Sequence, residues 1–424
     1  MLPMSGQSDE LTQRTSAPTE PRFAGPHRSV ANTRAIWWVL GGLLAANALI
    51  AVALPGRPDE VTWYLPVVEH SGAVWPALNT EVVGQGISPL YSWLVGGIVA
   101  TGAPALLVGR LVSLAAATCA AVLVGRRLGV VAVLPLAAYS LALFSARVHP
   151  IWPAVLVLVL AFLTRRRWGQ VVLVAIAVNL QPSLAPLALG LAIVVVAEST
   201  RRRLVDWAVW LGAFGLAAGA GIVATWAVYG GQYTEEFLET FPEARDFDGV
   251  TVAYAPLVAL TAGVLLLVVL PTLRMPRGWS NWLAVGAAGA AMAVVAVLAP
   301  MPVGPLGRVL GALGGLGSVA YGAMVALATG LLVAGLLGLW REQGPAGQVA
   351  DPWRVIALVA TLVAGFTVLS QLPWLYERYA TFVVAPAVAL LMGPVMAGRS
   401  RGRHVAIAGV LALSAVGMSL VGSL

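Results

Sequence analysis

Apolar runs of about 20 residues, the length that crosses the hydrocarbon core of a bilayer, recur along almost the whole of this 424-residue chain. Hydrophobic residues make up 59% and charged residues 10%, against roughly 45–50% and 25% in soluble domains. That balance excludes a soluble globular protein, a disordered chain and a collagen-like repeat. Inside lipid every backbone polar group must be paired within the protein, and runs of this length and composition do so as helices. The expected fold class is therefore all-α, polytopic and membrane-embedded. The single cysteine, Cys119, lies within an apolar run, so neither an intrachain disulfide nor a cysteine-rich metal cluster is available.

The net charge of +7 comes from arginine alone among the strong bases, since the chain contains no lysine. In a membrane protein such residues report first which loops stayed in the cytoplasm. Residues 1–35 are polar, lack an apolar signal core and read as a disordered cytoplasmic tail. Beyond it, arginines at 126–127, 165–167, 201–203, 274 and 277, 341 and 354, and 399–403 mark the inner ends of spans. The spans then fall near 36–55, 104–124, 129–146, 151–164, 169–180, 184–198, 205–228, 251–271, 281–299, 313–340, 354–372, 380–397 and 404–422, giving about 13 transmembrane helices over 36–424. This arrangement puts most arginines inside and most acids outside, which accounts for the basic excess without a nucleic-acid partner. Spans 169–180 and 184–198 are too short to cross fully and read as a half-depth hairpin whose tip is residues 179–183. Segment 87–102 would invert Arg126 and Arg127 if it spanned, so it reads as an amphipathic or re-entrant helix on the outer face.

Costly polar residues gather in the outer loops. The first outer loop with its juxtamembrane helices, 56–103, holds Asp59, Glu60, Tyr64, Glu69, His70 and Glu81. Asp59 and Glu60, just past a span and followed by Trp63 and Tyr64, suit a general base held at the membrane boundary; the same residues also suit an ordinary solvated loop with an aromatic belt. His70, Glu81 and Gln181 are further polar candidates for contacting a ligand at the same face. Arg147 and His149, between two spans otherwise free of charge, suit a phosphate, or equally an arginine snorkelling from a helix end. Arg57, Arg147, Arg308 and Arg378 break the inside rule and are the candidates for an anion at the outer face; the alternative for Arg378 is an ion pair with Glu377. The acidic outer loop 229–250 reads as a solvated lid. No P-loop, HExxH, GxSxG or CxxC pattern is present, and Gly311–Gly322 lies in an apolar run where small residues favour helix packing over phosphate binding.

In order along the chain stand Asp59, Glu60 and Tyr64 after the first span; Pro89, Leu90 and Tyr91 leading to Gly102 and then Arg110, Leu111 and Ser113; and Glu377, Arg378 and Tyr379 entering a late span. In this order and spacing the chain resembles the GT-C superfamily of membrane glycosyltransferases that use polyprenyl-phosphate sugars, in the branch of the protein O-mannosyltransferases and the lipid A aminoarabinose transferase. The landmarks of residues 55–127 carry the likeness, and the remainder is similar in hydropathy and span count. The chain departs from the larger relatives in having no sizeable soluble domain after the last span, and has Ser88 and Pro89 where the aminoarabinose transferase type has a lysine before paired prolines.

The resemblance implies a GT-C fold and an inverting transfer at the sugar's anomeric carbon on the outer face of the plasma membrane. Its implied roles are Asp59 as base with Glu60 as the alternative, Arg378, Arg147, His149, Tyr64 and Tyr379 on the donor phosphate, and His70, Glu81 and Gln181 on the acceptor. The implied partners are a polyprenyl-phosphate sugar donor, an envelope glycolipid or glycan acceptor and the membrane lipids, with no metal or other cofactor. Mannose is the leading sugar, with arabinosyl or other pentosyl transfer by the same mechanism as the alternative. A lipid or solute transporter or flippase is the rival of another class, and an inactive assembly subunit a further one.

Overall fold

The computed structural model describes residues 29–57, 60–74, 88–137, 147–198, 204–229, 251–269, 278–302, 304–341, 352–372, 375–396 and 402–421. The elements among them are all helices. Helix α1 (Ser29–Ala53) leads to a π turn, Glu60–Tyr64, that runs directly into α2 (Leu65–Ala73). Then come α3 (Pro89–Val99), α4 (Ala105–Arg127) and a 3-10 turn at Val130–Val133. The middle of the chain forms α5 (Ile151–Leu163), α6 (Arg167–Leu180), a 3-10 turn at Pro182–Leu184, α7 (Ala185–Ala197) and α8 (Leu204–Tyr229). The remainder forms α9 (Tyr254–Val269), α10 (Trp279–Leu298), the short α11 (Pro305–Gly311), α12 (Gly315–Arg341), α13 (Pro352–Leu369), α14 (Glu377–Met396) and α15 (Gly402–Val421).

Seven of these are long and apolar enough to cross a membrane: α1, α4, α8, α10, α12, α13 and α14. The expected count of 13 spans exceeds this by six: α5, α6 and α7 have only 13 or 14 residues, about 20 Å at 1.5 Å per residue, the stretches Tyr254–Val268 of α9 and Gly402–Ser414 of α15 are also short, and the last nine residues of the expected span 129–146 lie outside the described residues. The calls on Asp59, Glu81 and most of the 229–250 loop fall outside them too.

Helix α14 is the axis of the bundle. Val383–Val384–Ala385 and Ala387–Met392 are all buried, and α9, α13, α7 and both 3-10 turns pack around it. It carries two internal prolines, Pro386 and Pro394, and α13 comes close to it at a glycine: a Cβ on Gly365 would meet Val383 at 2.7 Å. A helix apolar on every side has no lipid-facing stripe to satisfy and goes to the interior. The same reasoning applies to α7, which is buried all round.

Two expectations about the short segments meet the structure differently. Helix α3 has 11 residues, about 16 Å, too short to span, as expected for segment 87–102. It buries Pro89, Tyr91, Ser92 and Val95 against α2 and α4 and leaves Leu90, Leu94 and Ile98 exposed on one stripe. The arms of the expected 169–198 hairpin, by contrast, diverge: α6 packs chiefly on α5 and α8, whereas α7 packs chiefly on α13 and α8. The all-round apolar surface of α7 draws it into the bundle, while α6 buries mainly one edge, at Gln170, Val174 and Ala177–Val178.

Candidate functional site

Four segments far apart in sequence meet at one end of α4. The first is the C-terminal end of α1, whose last carbonyls have no partner within the helix. Arg110 supplies one: its Nη1 donates to the carbonyls of Ala51 (3.2 Å) and Leu54 (2.6 Å), and its Nη2 to that of Pro55 (2.8 Å). The same guanidinium faces Glu60, with Nε donating to Oε1 at 3.0 Å and Nη2 to Oε2 at 2.6 Å. Glu60 accepts two further bonds, from the backbone N–H of Arg57 (3.0 Å) and of Val148 (2.8 Å). Burial alone would raise the Glu60 pKa, but the Arg110 hydrogen bonds, the two backbone donors and the Arg110 charge together hold it below the usual carboxylate range.

Each Glu60 oxygen thus accepts two hydrogen bonds, and the residue is fully buried. A carboxylate so committed is poorly placed to take a proton from a substrate, because a base must come within hydrogen-bond reach of it. The reading of Glu60 as the alternative base is corrected accordingly: it is the tie that joins the first loop, α4 and segment 147–150. Sequence reasoning gave Asp59 as the base with Glu60 as the alternative, and passed over Arg110 as a site residue. The available signal was the depth of Arg110 within an apolar run, where an ionisable group calls for a named partner.

Segment 147–150 is held flat on α4 by small neighbours and hydroxyls. A Cβ on Gly109 would meet Val148 at 2.7 Å, so only glycine lets Val148 lie this close. Ser113 Oγ donates to the His149 carbonyl at 3.0 Å, and the buried Tyr91 hydroxyl faces Ser113 and the His149 peptide. The His149 ring lies 4.9 Å from that of Tyr64 and 5.8 Å from that of Phe382 on α14. Its Nδ1 accepts from the backbone N–H of Ile151 at 3.1 Å, which satisfies a donor in the first turn of α5. Burial, followed by the positive charges of Arg378 and Arg147, holds His149 well below its ordinary pKa.

The start of α14 completes the cluster. Arg378 stacks its guanidinium over Tyr376 at 4.6 Å and Tyr379 at 5.4 Å, and Tyr379 packs edge-on against Phe382 at 5.6 Å. The approach to the helix is pinned by the Tyr376 N–H donating to the Tyr254 hydroxyl (3.2 Å) and the Thr251 N–H donating to the Ser370 carbonyl (2.8 Å).

Of the residues singled out from sequence, the structure therefore brings together Tyr64, Arg147, His149, Arg378 and Tyr379. Gln181 sits beside the 3-10 turn that packs on α14, its Nε2 donating to Ser183 Oγ at 3.0 Å. The end of α6 is tied in through Asn179, whose Oδ1 accepts from Ser88 Oγ (3.2 Å) and whose Nδ2 donates to the Gly221 carbonyl (3.1 Å). His70, half-buried on α2, has no described contact with the cluster, since α2 packs on α3 and α4. Arg308 is exposed on α11, which packs on α12, and has no described contact with the cluster. No group of three or more metal-ligating side chains occurs among the described residues.

Chemically, the cluster gathers Arg147, His149 and Arg378 with Tyr64, Tyr379 and Phe382, the imidazole being pushed towards its neutral form by burial and by the two arginine charges. Such a set provides charge-assisted and directional hydrogen bonds suited to an oxyanion. No protein-family model, no curated protein and no solved structure matches the chain.

Proposed function

We propose that the protein is an inverting membrane glycosyltransferase of GT-C type, which moves a sugar, mannose in the leading version, from a polyprenyl-phosphate donor to a hydroxyl of an envelope glycolipid or glycan at the outer face of the plasma membrane. The observation that carries this reading is the packing of the His149 ring on Tyr64 and Phe382, with Tyr379 and the stacked Arg378 next to Phe382, Arg147 two residues before His149, and the buried Glu60–Arg110 pair beside them.

In this reading the donor phosphate lies against Arg147, Arg378 and His149, with Tyr64 and Tyr379 beside it. Asp59 takes the proton of the acceptor hydroxyl as that oxygen attacks the anomeric carbon. The bond from that carbon to the phosphate oxygen breaks, its electron pair stays on the phosphate, and the anomeric configuration inverts. The leaving polyprenyl phosphate gains a negative charge as the bond breaks, and two guanidinium groups favour that charge in a water-poor site. The thirteen-span arrangement, with this cluster on the extracytoplasmic side, belongs to the same proposal. It places the apolar tail of the donor in lipid and the sugar beside the polar end of the bundle.

The test is incubation of the purified protein in lipid vesicles with a radiolabelled polyprenyl-phosphate mannose, a pentosyl counterpart and an acceptor lipid. Label appearing in the acceptor supports transfer, and the donor consumed identifies the sugar class. Movement of donor across the bilayer without any transfer overturns the enzyme reading in favour of a flippase.

A further inference from the structure

Helices α12 and α13 follow one another in the chain and are both long and apolar enough to span, yet each leans on other neighbours. Helix α12 packs chiefly on α10 and α9, and α13 on α7 and α14. The divergence leaves a groove of about 520 Å³, within the range of small-molecule sites. It is lined by one face of α13, from Val355–Ile356 to Val363–Ala364, by Leu189 of α7 and by Trp340 of α12. That face runs about 14 Å at 1.5 Å per residue, and Val359, Val363 and Trp340 stay exposed along it. Every lining side chain is apolar, so the groove suits a hydrocarbon chain and offers no hydrogen bond to a polar substrate.

One end of the groove is charged. Arg354, next to Val355, donates from Nη2 to Oε1 of Glu198, just past the end of α7, at 2.9 Å. Glu198 is 58% exposed and Arg354 17%, and an ion pair so exposed contributes little to stability. The bond engages one guanidinium N–H and one carboxylate oxygen, and each group has further hydrogen-bonding capacity. The same end carries an aromatic belt. Trp353 packs on Trp207 of α8 (5.2 Å), and Trp210, one turn along, packs on Trp168 (5.3 Å) under the guanidinium of Arg167 (5.3 Å). Tryptophan and arginine gathered in this way mark the level of lipid headgroups. Helix α5 begins beside His149 and ends just before α6 and Arg167, so the belt lies at the opposite end of α5 from the His149 cluster.

We infer that the groove holds one chain of a zwitterionic phospholipid with a primary-amine headgroup, its phosphate on Arg354 and its ammonium on Glu198. A positive and a negative charge side by side match a headgroup that carries both. The planar guanidinium suits phosphate oxygens, and a primary ammonium donates hydrogen bonds to the carboxylate, which a quaternary one lacks. An anionic headgroup would meet Glu198 as a like charge. The site belongs to the leaflet at the belt end and is independent of sugar transfer at the His149 cluster.

The full chain, purified in detergent, is titrated with phosphatidylethanolamine, phosphatidylcholine and phosphatidylglycerol of identical chains. Lipid binding and oligomeric state are read by native mass spectrometry, and thermal unfolding is recorded for each variant. The wild type is expected to bind phosphatidylethanolamine about two- to fivefold more tightly than the other two, the worth of an exposed ion pair. Arg354→Gln is expected to weaken all three about tenfold, as for a lost hydrogen bond to a charged group, whereas Glu198→Gln removes only the preference for phosphatidylethanolamine. Val359→Trp fills the groove and weakens all three; Leu216→Trp, a similar addition at an exposed position of α8, leaves binding unchanged.

Equal wild-type affinity for the three lipids, or a preference that survives Glu198→Gln, overturns the inference. So does unchanged binding in Val359→Trp, and so does an equal loss of all three lipids in Arg354→Gln and Glu198→Gln, which would trace the effect to the broken ion pair. A wild-type dimer that Val359→Trp splits into monomers gives the groove to a second copy of the chain and overturns it as well. Should Arg354→Gln not fold, the wild-type preference, Glu198→Gln and Val359→Trp still decide the question.

Discussion

Arg110 and Glu60, fifty positions apart, form a two-point ion pair in which neither side chain touches solvent to more than 1%. Removing one partner leaves an uncompensated buried charge, which costs about 3–5 kcal/mol. Glu60→Gln and Arg110→Met should each lower the thermal unfolding midpoint of the solubilised protein. The double variant should lose less than the sum of the two, because the pair interaction is lost only once. Arg110→Met should be the worse single change, since it also frees the carbonyls of Ala51, Leu54 and Pro55. Strict additivity would show that the pair contributes nothing as a pair.

The same pair gives the fold an acid-sensitive component. The Glu60 pKa is lower in the folded protein than its ordinary value, about 4.3, so the ionised carboxylate favours the fold. That contribution is complete above the ordinary carboxylate range and is lost as the pH falls through the lower, folded value. Unfolding midpoints between pH 7 and pH 3 should therefore fall more steeply for wild type than for Glu60→Gln. Parallel curves for the two proteins would contradict the assignment.

Arg378→Gln keeps length and polarity and removes the charge. A charge-assisted contact contributes about 1.5–3 kcal/mol, so affinity for a polyprenyl phosphate should drop about tenfold or more while the helical circular dichroism stays unchanged. Unaltered affinity, measured by titration in nanodiscs, would reduce Arg378 to packing over Tyr376 and Tyr379.

Asp59→Asn should leave donor binding intact and lower sugar transfer by roughly 10²–10⁴-fold, the usual contribution of a positioned general base. The measurement is single-turnover transfer at saturating donor. Near-normal turnover in Asp59→Asn would remove the base from this loop, because Glu60 is already committed to four hydrogen bonds.

What could be read from the sequence was what depends on local length, polarity and charge. The non-spanning character of segment 87–102 followed from the arginines at 126 and 127, and α3 at 11 residues agrees. Arg147 and Arg378 stood out because in the expected topology they break the inside rule; the structure has Arg147 in the segment of His149, and Arg378 stacked on Tyr379, which packs on Phe382 beside the His149 ring. The task of Glu60 was hidden, since Asp59 and Glu60 differ by one methylene and only a partner fifty residues away distinguishes them. The divergence of α6 from α7 was hidden for a similar reason. Its cause is the fit of α7 to α13, where a Cβ on Gly190 would collide with the Thr361 hydroxyl, and such a fit leaves no trace in either segment alone. His70 was named by residue type and Arg308 by its place in the expected topology, and three-dimensional neighbours decide such residues.

The Arg110 clamp also bears on how the chain enters the membrane. A lone arginine in an apolar segment opposes partitioning into lipid by about 2.5–3.5 kcal/mol, and α4 carries one at its sixth residue. Its five hydrogen-bond acceptors all come from residues 51–60, which are synthesised before it. Helix α1 and the turn after it therefore act as a receiving dock: once they are seated, α4 enters with its charge already answered. The end of α1, the π turn and α4 are thus joined through one side chain, and every partner of that side chain precedes it in the order of synthesis.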